Sequence, residues 1–394
     1  MIQKKSFFIV ALIISYFTLC FLSQGFCCST YLLHKGNTFL IGHNLDWPFK
    51  VPGMIVINKR NLKKVNISWQ ELSTSQKPSS PSISWISKYS SVTFNPVGRE
   101  FPDGGFNEVG LYIQEMTLKG TKYPENDKRP AMFMMQWMQY QLDNYETVDQ
   151  VLQNLDNIIL DGWSWHFFVS DISGVSAVIE FINGKALVYT GEEMPFPVLC
   201  NSQYPNEITK LKKYNGFGGD QDVNLDDKSI PRFVHAAYLI KNYSETTPQS
   251  SIAYGFKILE SMERDGTQWS YVIDVKKKQI YFRTSVCTEI KTFNFGSFDL
   301  SCDEPTMIID INSTLQGNVE QNFQIYSEEI NVQFITQVCK AFGFDANMIQ
   351  NLIQIVSAYL QGVKCQTTHI NDQNNYDMTD RYALLDNFYV CPIR

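Results

Sequence analysis

The sequence predicts an α+β protein in which helices pack on the outside of antiparallel sheets. Many short strand-like runs follow one another, and hairpin-type turns such as 34–37 (HKGN) and 182–185 (INGK) join several of them. Helical patterns interrupt these runs in pairs and do not alternate regularly with them, which favours α+β over a parallel α/β sheet. The length of 394 residues allows two or three domains. The pattern instead predicts one large domain with a C-terminal extension.

The first 27 residues have the composition of a secretory signal peptide. Residues 1–5 carry two lysines and no acid, and residues 7–22 are mostly apolar, a run too short to cross a bilayer comfortably. Gly25 and Cys27 are small residues at the positions that a signal peptidase reads before a cut. We therefore expect a signal peptide over 1–27, a mature chain that starts at Cys28, and no stable membrane anchor after cleavage. The alternative is an uncleaved anchor.

The predicted elements follow in order along residues 28–300, the main domain. The strand-like runs are 29–33, 38–42, 54–58, 106–114, 166–170, 176–181, 186–190, 269–275 and 279–284. The predicted helices cover 130–142, a segment opened by a capping box at Thr147, 229–241 with a proline in its first turn, and 248–262.

Residues 301–394 form the predicted extension, which we expect to pack on the same domain. Apolar residues fall on one helical face in each of two segments: Val332, Ile335, Val338 and Phe342, then Met348, Leu352, Ile355 and Tyr359. Residues 343–345 (GFD) lie between these segments and can end the first helix and cap the second. The sequence therefore predicts an αα-hairpin here.

Charge and cysteine content indicate a secreted or lumenal protein, whether extracellular, periplasmic or lysosomal. The formal charge is −7 for the whole chain and −9 without residues 1–27, which argues against nucleic acid and anionic membranes as partners. Asn66, Asn242 and Asn312 lie in glycosylation sequons, so we expect a glycoprotein if a eukaryotic secretory pathway handles the chain. Setting Cys28 aside, six mature cysteines permit three disulfides in fifteen possible connectivities.

A cysteine at a new N-terminus would be its own nucleophile and base. The free amine has a pKa near 7.7–8.0 and the thiol one near 8.5, so the amine can accept the thiol proton. The turn at 34–37 brings the strand that ends in Asp46 back toward Cys28, where a carboxylate could hold the amine. No metal-ligand spacing and no phosphate-binding loop is present, so we expect neither a metal nor another cofactor.

An ordered series of segments from Cys28 to about Thr284 resembles the linear amide C–N hydrolases, which include choloylglycine hydrolases and penicillin V acylases. The segments are 28–31 (CSTY), 42–47 (GHNLDW), 54–60 (MIVINKR), 104–111 (GGFNEVGL), 199–202 (LCNS), 229–234 (SIPRFV), 267–270 (TQWS) and 280–284 (IYFRT). Each is weak alone, whereas eight in the right order are a strong resemblance.

The resemblance implies a four-layer αββα N-terminal-nucleophile hydrolase sandwich with Cys28 as nucleophile. Asp46 would hold the Cys28 amine, Asn107 and Asn201 would face the substrate carbonyl or its oxyanion, and Arg232 would balance charge. His43 stands where bile salt hydrolases usually have arginine, so positive charge near the thiol would be weaker or dependent on pH. The family also implies a small-molecule N-acyl amide substrate and often a homo-oligomer.

Two other functions remain open at this point. An acyltransferase would use the same acyl-enzyme and pass the acyl group to an amine instead of water. A non-catalytic secreted glycoprotein would use the same fold to bind acyl chains, and an uncleaved N-terminus would favour it because a peptide nitrogen cannot act as a base.

Overall fold

The computed structural model describes residues 28–366, except for 75, 77–79, 126–127 and 247–248. The predicted signal peptide and Cys391 lie outside the described residues. Within the described part of the chain, no helix is long and apolar enough to cross a membrane.

Short strands are the most numerous elements of the described chain, as the sequence predicts. They are β1 (Ser29–Lys35), β2 (Thr38–Asp46), β3 (Met54–Asn58), β4 (Leu62–Val65), β5 (Ser84–Ile86), β6 (Ser91–Asn95), β7 (Gly104–Asn107), β8 (Tyr112–Thr117), β9 (Ala131–Phe133), β10 (Ile159–Asp161), β11 (Trp165–Ser170), β12 (Ser176–Ile182), β13 (Lys185–Thr190), β14 (Val198–Leu199), β15 (Thr267–Asp274), β16 (Gln279–Thr284), β17 (Lys291–Asn294), β18 (Met307–Asp310), β19 (Gly317–Asn318), β20 (Gln324–Ile325) and β21 (Lys364–Cys365).

Helices stand between groups of strands. They are α1 (Trp69–Thr74), α2 (Met134–Asn144), α3 (Val148–Gln153), α4 (Tyr204–Leu211), α5 (Arg232–Asn242), α6 (Ser251–Met262), α7 (Glu328–Ala341) and α8 (Ala346–Gly362). The predicted capping box is confirmed, because the Thr147 side chain accepts from the Gln150 backbone while the Gln150 side chain reaches back to the Thr147 backbone.

Two large sheets form the centre of the molecule. The first sheet has the order β14-β1-β2-β15-β16-β17-β19, and the second has the order β13-β12-β11-β8-β7-β6-β3-β18-β20. The β1–β2 hairpin pairs Ser29 with Asn44 and Lys35 with Thr38, so the turn at 34–37 does return the chain beside its own start. Because β14 and β2 flank β1, the segment at Cys28 has a neighbour on each side.

The inner faces of the two sheets pack on each other and helices cover the outer faces. The rings of Phe94 in the second sheet and Tyr271 in the first stack at 3.8 Å between centroids, and the Tyr112 and Tyr271 hydroxyls lie 3.0 Å apart. The α5–α6 pair packs outside the first sheet and α2 packs outside the second. This is the four-layer αββα arrangement, and it confirms the predicted fold class.

Two predicted elements differ from the structure. The run 106–114 is not one strand, because Gly110 has a φ of +104° and turns the chain between β7 and β8. The predicted helix 130–142 begins as the short strand β9 and becomes helical only at Met134. In the run 106–114, the apolar and strand-like composition gives no sign of the turn that Gly110 makes possible.

The C-terminal region begins as part of the sheets and only then becomes helical. β18, β19 and β20 complete the edges of both sheets, so the sandwich continues past the predicted boundary at residue 300. The predicted αα-hairpin is confirmed as α7 and α8. Asp345 caps α8, since its side chain accepts a hydrogen bond from the Met348 backbone at 2.9 Å.

Among the described residues, the cysteines form fewer bridges than the count permits. Cys302 and Cys365 form a disulfide across a sequence separation of 63. Cys200, Cys287 and Cys339 are buried free thiols in this part of the chain. An even count of cysteines fixes no pairs, because pairing needs Cα atoms within about 7 Å of each other.

Candidate active site

Cys28 lies at the end of the sandwich, immediately before β1. Thr30 pairs with Leu199 of β14 on one side and with His43 of β2 on the other. The Thr30 hydroxyl lies 3.2 Å from the Tyr112 hydroxyl of the second sheet, so Thr30 faces the space between the sheets. Side chains alternate along a strand, so the Cys28 thiol, two residues earlier, faces the same space.

Arg232, the first residue of α5, joins three of the predicted site residues. Its guanidinium donates to Asp46 Oδ2 at 3.0 Å and to Asn201 Oδ1 at 2.8 Å. It also donates to the backbone carbonyl of Cys28 at 3.4 Å. Arg232 is buried, with 8% of its surface exposed. Residues separated by about 200 positions in the chain are therefore held together by one planar fork of donors.

Asp46 ends β2 and is held on both carboxylate oxygens. Arg232 binds Oδ2, and the Thr267 hydroxyl of β15 donates to Oδ1 at 2.5 Å. Burial raises the pKa of Asp46 to about 7, while Arg232 and the Thr267 hydrogen bond act in the lowering direction. A further positive charge beside this carboxyl would favour its ionised form.

Asn201 follows β14, and hydrogen bonds of its side-chain amide and of the preceding Cys200 carbonyl hold it in place. Its side-chain NH₂ donates to the Thr117 carbonyl at 2.8 Å, and its carbonyl oxygen accepts from Arg232. One residue earlier, the Cys200 carbonyl lies 2.7 Å from Nε2 of the buried His166. His166 thus packs in the interior and helps to place the Asn201 loop.

The Cys28 thiol is buried among carboxyl groups. Its pKa is raised well above the ordinary value, first by burial and then by the charges of Glu115, Asp46 and Asp103, while a hydrogen bond from the Asp46 backbone acts in the opposite direction. Asp103 and Glu115 are themselves buried, and burial raises the pKa of both. A thiol in these surroundings needs a nearby base or a positive charge to ionise.

His43 lies on β2 and faces the second sheet. Its Nε2 is 4.0 Å from Asp103 Oδ2, and its ring packs against Tyr271 at 5.3 Å between centroids. Burial lowers the pKa of His43 to about 3, so the imidazole is neutral at physiological pH. The expected positive charge at His43 is therefore absent, and Arg232 supplies the positive charge in contact with Asp46 and Asn201.

Asn107 is not brought into the Arg232 cluster. Its side chain donates to the carbonyls of Leu142 at 3.0 Å and Tyr145 at 2.8 Å, and it accepts from two backbone N–H groups of the following turn. In this structure the Asn107 side chain therefore makes the contacts of a turn residue, and its predicted place beside the substrate carbonyl stays a prediction.

The family assignment rests on a match over most of the chain. Residues 27–308 match the model of the linear amide C-N hydrolases, choloylglycine hydrolase family. The chain belongs to this family. The family match starts one residue before Cys28 and ends within β18, so it covers the cluster around Arg232 but leaves α7 and α8 outside.

Similar proteins agree with this family. The penicillin V acylase of Pectobacterium atrosepticum is 26% identical over an aligned length of 307 residues, and the alignment covers 66% of this chain and 81% of that protein. The structure of penicillin V acylase from Agrobacterium tumefaciens aligns with a TM-score of 0.65 at 22% identity, covering 76% of this chain and 98% of that one. A conjugated bile acid hydrolase from Clostridium perfringens aligns at 0.57 and 19% identity, covering 74% and 98%. These structures show the shared N-terminal-nucleophile hydrolase fold.

Four residues around this linear amide hydrolase site were not predicted: Asp103, Glu115, Thr117 and Thr267. Thr267 stands opposite Asp46 in the register of β15 and β2, and a register is visible only in the structure. Thr117 contributes a backbone carbonyl, which no side-chain motif reveals. Glu115 does leave a signal, because it is an acid inside the buried strand β8. A buried acid within a strand is a reason to expect a functional or paired group.

Proposed function

We propose that this protein is a secreted cysteine amidohydrolase of the N-terminal-nucleophile type, with the signal peptide 1–27 removed to expose Cys28. Its substrate would be a small N-acyl amide with a linear, non-peptide C–N bond. The observation that carries the proposal is the Arg232 fork, which ties the Cys28 carbonyl, Asp46 and Asn201 into one buried cluster.

The reaction would begin with a proton transfer within Cys28. While residue 28 is joined to residue 27, its nitrogen is a peptide nitrogen and the buried thiol keeps its proton. After the cut, the free amine accepts that proton and becomes an ammonium. An ammonium beside Asp46 would favour the ionised carboxylate and offset the negative charges that raise the pKa of the Cys28 thiol.

Two acyl transfers would follow. The sulfur attacks the amide carbonyl carbon and forms a C–S bond, and the oxyanion of the tetrahedral intermediate is met by donors near Asn201. Collapse breaks the C–N bond, and the proton held by the Cys28 amine passes to the leaving amine. Water then attacks the thioester, the amine accepts its proton, and the carboxylic acid leaves as the thiol is restored.

The substrates of the relatives give the first compounds to try. The named relatives act on penicillin V or on conjugated bile acids, as their names state. Both belong to the class of N-acyl amides that we propose here. Penicillin V and a conjugated bile acid are therefore suitable starting substrates for an assay of released amine.

The test compares two cysteine variants of the secreted protein. Cys28→Ser should lose at least about 10²-fold in kcat, because a serine hydroxyl with the same amine is a far weaker nucleophile. Cys287→Ser is the matched control, since Cys287 is also a buried free thiol but lies outside the cluster. Full activity in Cys28→Ser would contradict the proposal.

A further inference from the structure

The C-terminal hairpin carries an aromatic ring to the end of the sandwich at which the thiol lies. Phe342 follows α7 directly, and its ring centroid is 4.9 Å from that of Trp47 and 5.5 Å from that of Phe49, both in edge-on contacts. It lies 6.4 Å from Trp163. We call these four residues, Trp47, Phe49, Trp163 and Phe342, the aromatic mouth.

The aromatic mouth connects the two sheets beside the proposed nucleophile. Trp47 follows Asp46, and by strand alternation it shares the inward face of His43. Trp163 lies two residues before Trp165, whose partner across the sheet is Thr117. Thr117 is the residue whose carbonyl accepts from Asn201. Phe342 therefore bridges the strand end that carries Asp46 and the strand end that supports Asn201.

The ring of Phe342 is held in place by contacts along the whole hairpin. The Asn331 side chain of α7 accepts from the Arg99 backbone at 2.9 Å. The Tyr359 hydroxyl of α8 accepts from Gln136 of α2 at 2.8 Å. After α8, the disulfide between Cys302 and Cys365 ties the chain back to the sandwich. The hairpin is thus a fixed part of the site's surroundings.

Phe49, Trp163 and Phe342 are only half-buried, so the mouth keeps apolar surface for a ligand. Aromatic rings favour apolar groups and other rings. The amine product leaves when the first acyl transfer is complete. The acyl group stays attached to sulfur through both steps and needs an apolar site for longer.

We infer that Phe342 is a specificity-determining residue, and that the aromatic mouth selects substrates with a bulky apolar acyl group. This inference rests on the proposed function. It goes beyond the family match, which ends at residue 308 and does not include the segment that carries Phe342. Chains that lack this hairpin would have to build this side of the acyl site from other residues.

The experiment measures kcat and KM for phenylacetyl and acetyl amides of one fluorogenic amine, 7-amino-4-methylcoumarin. Phe342→Ala should lower the ratio of kcat/KM for phenylacetyl over acetyl by about 5- to 10-fold, mostly through KM, the range expected for losing one aromatic contact. Phe342→Leu keeps most of the volume and should lower the ratio less, which guards against a variant that does not fold.

Phe334→Ala is the matched control, because Phe334 also belongs to α7 but packs against the small cluster of Met54, Val56 and Ile308. Its ratio should stay within about twofold of the wild type, as for a residue outside the mouth. An unchanged ratio in Phe342→Ala, or an equal fall in Phe334→Ala, would overturn the inference.

Calorimetry with phenylacetate separates this inference from the proposed function. The Cys28→Ser protein should bind phenylacetate, and adding Phe342→Ala should weaken that binding about 5- to 10-fold. Hydrolysis of neither amide by the wild type would count against the proposed function for this substrate class. The binding result would still decide the role of Phe342, because equal phenylacetate affinities with and without the Phe342 ring would refute it.

Discussion

Replacing Arg232 by methionine should destabilise the protein more at pH 8 than at pH 5. Arg232 is buried and donates to Asp46 at 3.0 Å and to Asn201 at 2.8 Å. At pH 8 Asp46, with a pKa of about 7, is mostly ionised. Removing one partner of a buried ion pair costs about 3–5 kcal/mol.

At pH 5 the same substitution should lower the free energy of unfolding by less. Asp46 has a folded pKa raised above its ordinary value of 3.8, so the folded chain takes up a proton as the pH falls through about 7. The ion pair with Arg232 is then already lost in the wild type. The hydrogen bonds to neutral partners still disappear, at about 0.5–1.5 kcal/mol each. Because pH 8 lies one unit above the Asp46 pKa of about 7, linkage limits the extra loss at pH 8 to about 1.4 kcal/mol.

Urea unfolding followed by tryptophan fluorescence measures both losses. The full chain should be kept uncleaved in every variant, with residues 1–27 attached, so that the nitrogen of residue 28 stays a peptide nitrogen and no ammonium lies beside Asp46. Arg283→Met is the matched control, since Arg283 pairs with the more exposed Glu260 and Glu263 and should cost about 1 kcal/mol or less at both pH values. Equal losses for Arg232→Met at pH 5 and pH 8 would refute the reasoning.

Three further predictions follow from the site and the extension. Asn107→Ala should lower the unfolding free energy by about 2–3 kcal/mol without changing kcat, whereas Asn201→Ala should lower kcat about 10²-fold. Denaturant unfolding and steady-state kinetics distinguish the two variants. A large fall in kcat for Asn107→Ala with an unchanged kcat for Asn201→Ala would place Asn107 in the site instead. His43→Gln should leave the midpoint of the pH dependence of kcat/KM between pH 5 and 8 in place, because His43 is neutral there, and a displaced midpoint would contradict this. Replacing Cys302 and Cys365 by serine should lower the free energy of urea unfolding by about 4 kcal/mol, because the disulfide closes a loop of 63 residues. A decrease below about 1 kcal/mol would contradict this prediction.

Local sequence was sufficient for the parts of the site that lie close together in the chain. The turn at 34–37 gives a tight hairpin, and a tight hairpin places Asp46 near Cys28 whatever the rest of the fold does. The alternation of β1 and β2 likewise predicts which side chains share a face. Short-range rules therefore led to both the proposed nucleophile and its carboxylate neighbour.

Arg232 and Asn201 needed information beyond local patterns. An arginine in the first turn of a helix and an asparagine after a short strand are most often solvated surface residues. Only the resemblance to the linear amide hydrolases pointed to them, and their contact arises because β14 lies beside β1 while α5 packs on the same sheet. Long-range packing of this kind leaves no periodic pattern in the sequence.

Asn107 and His43 show what a motif leaves out. The segment 104–111 (GGFNEVGL) forms a turn, and the Asn107 side-chain oxygen accepts from two backbone N–H groups of that turn. For His43, the sequence indicated a positive charge that is weaker or dependent on pH, and complete burial lowers its pKa to about 3. The protonation of a residue depends on its solvation, which only the packed structure reveals.

N-terminal sequencing of the active, secreted protein tests the central claim most directly. Removal of residues 1–27 by signal peptidase or by self-cleavage should give a chain that begins Cys28-Ser29-Thr30, with a free amine on the proposed nucleophile. Active protein that begins at Cys27, or that retains the residues before Cys28, would contradict the account, because the amine of Cys28 would then be unable to act as the base.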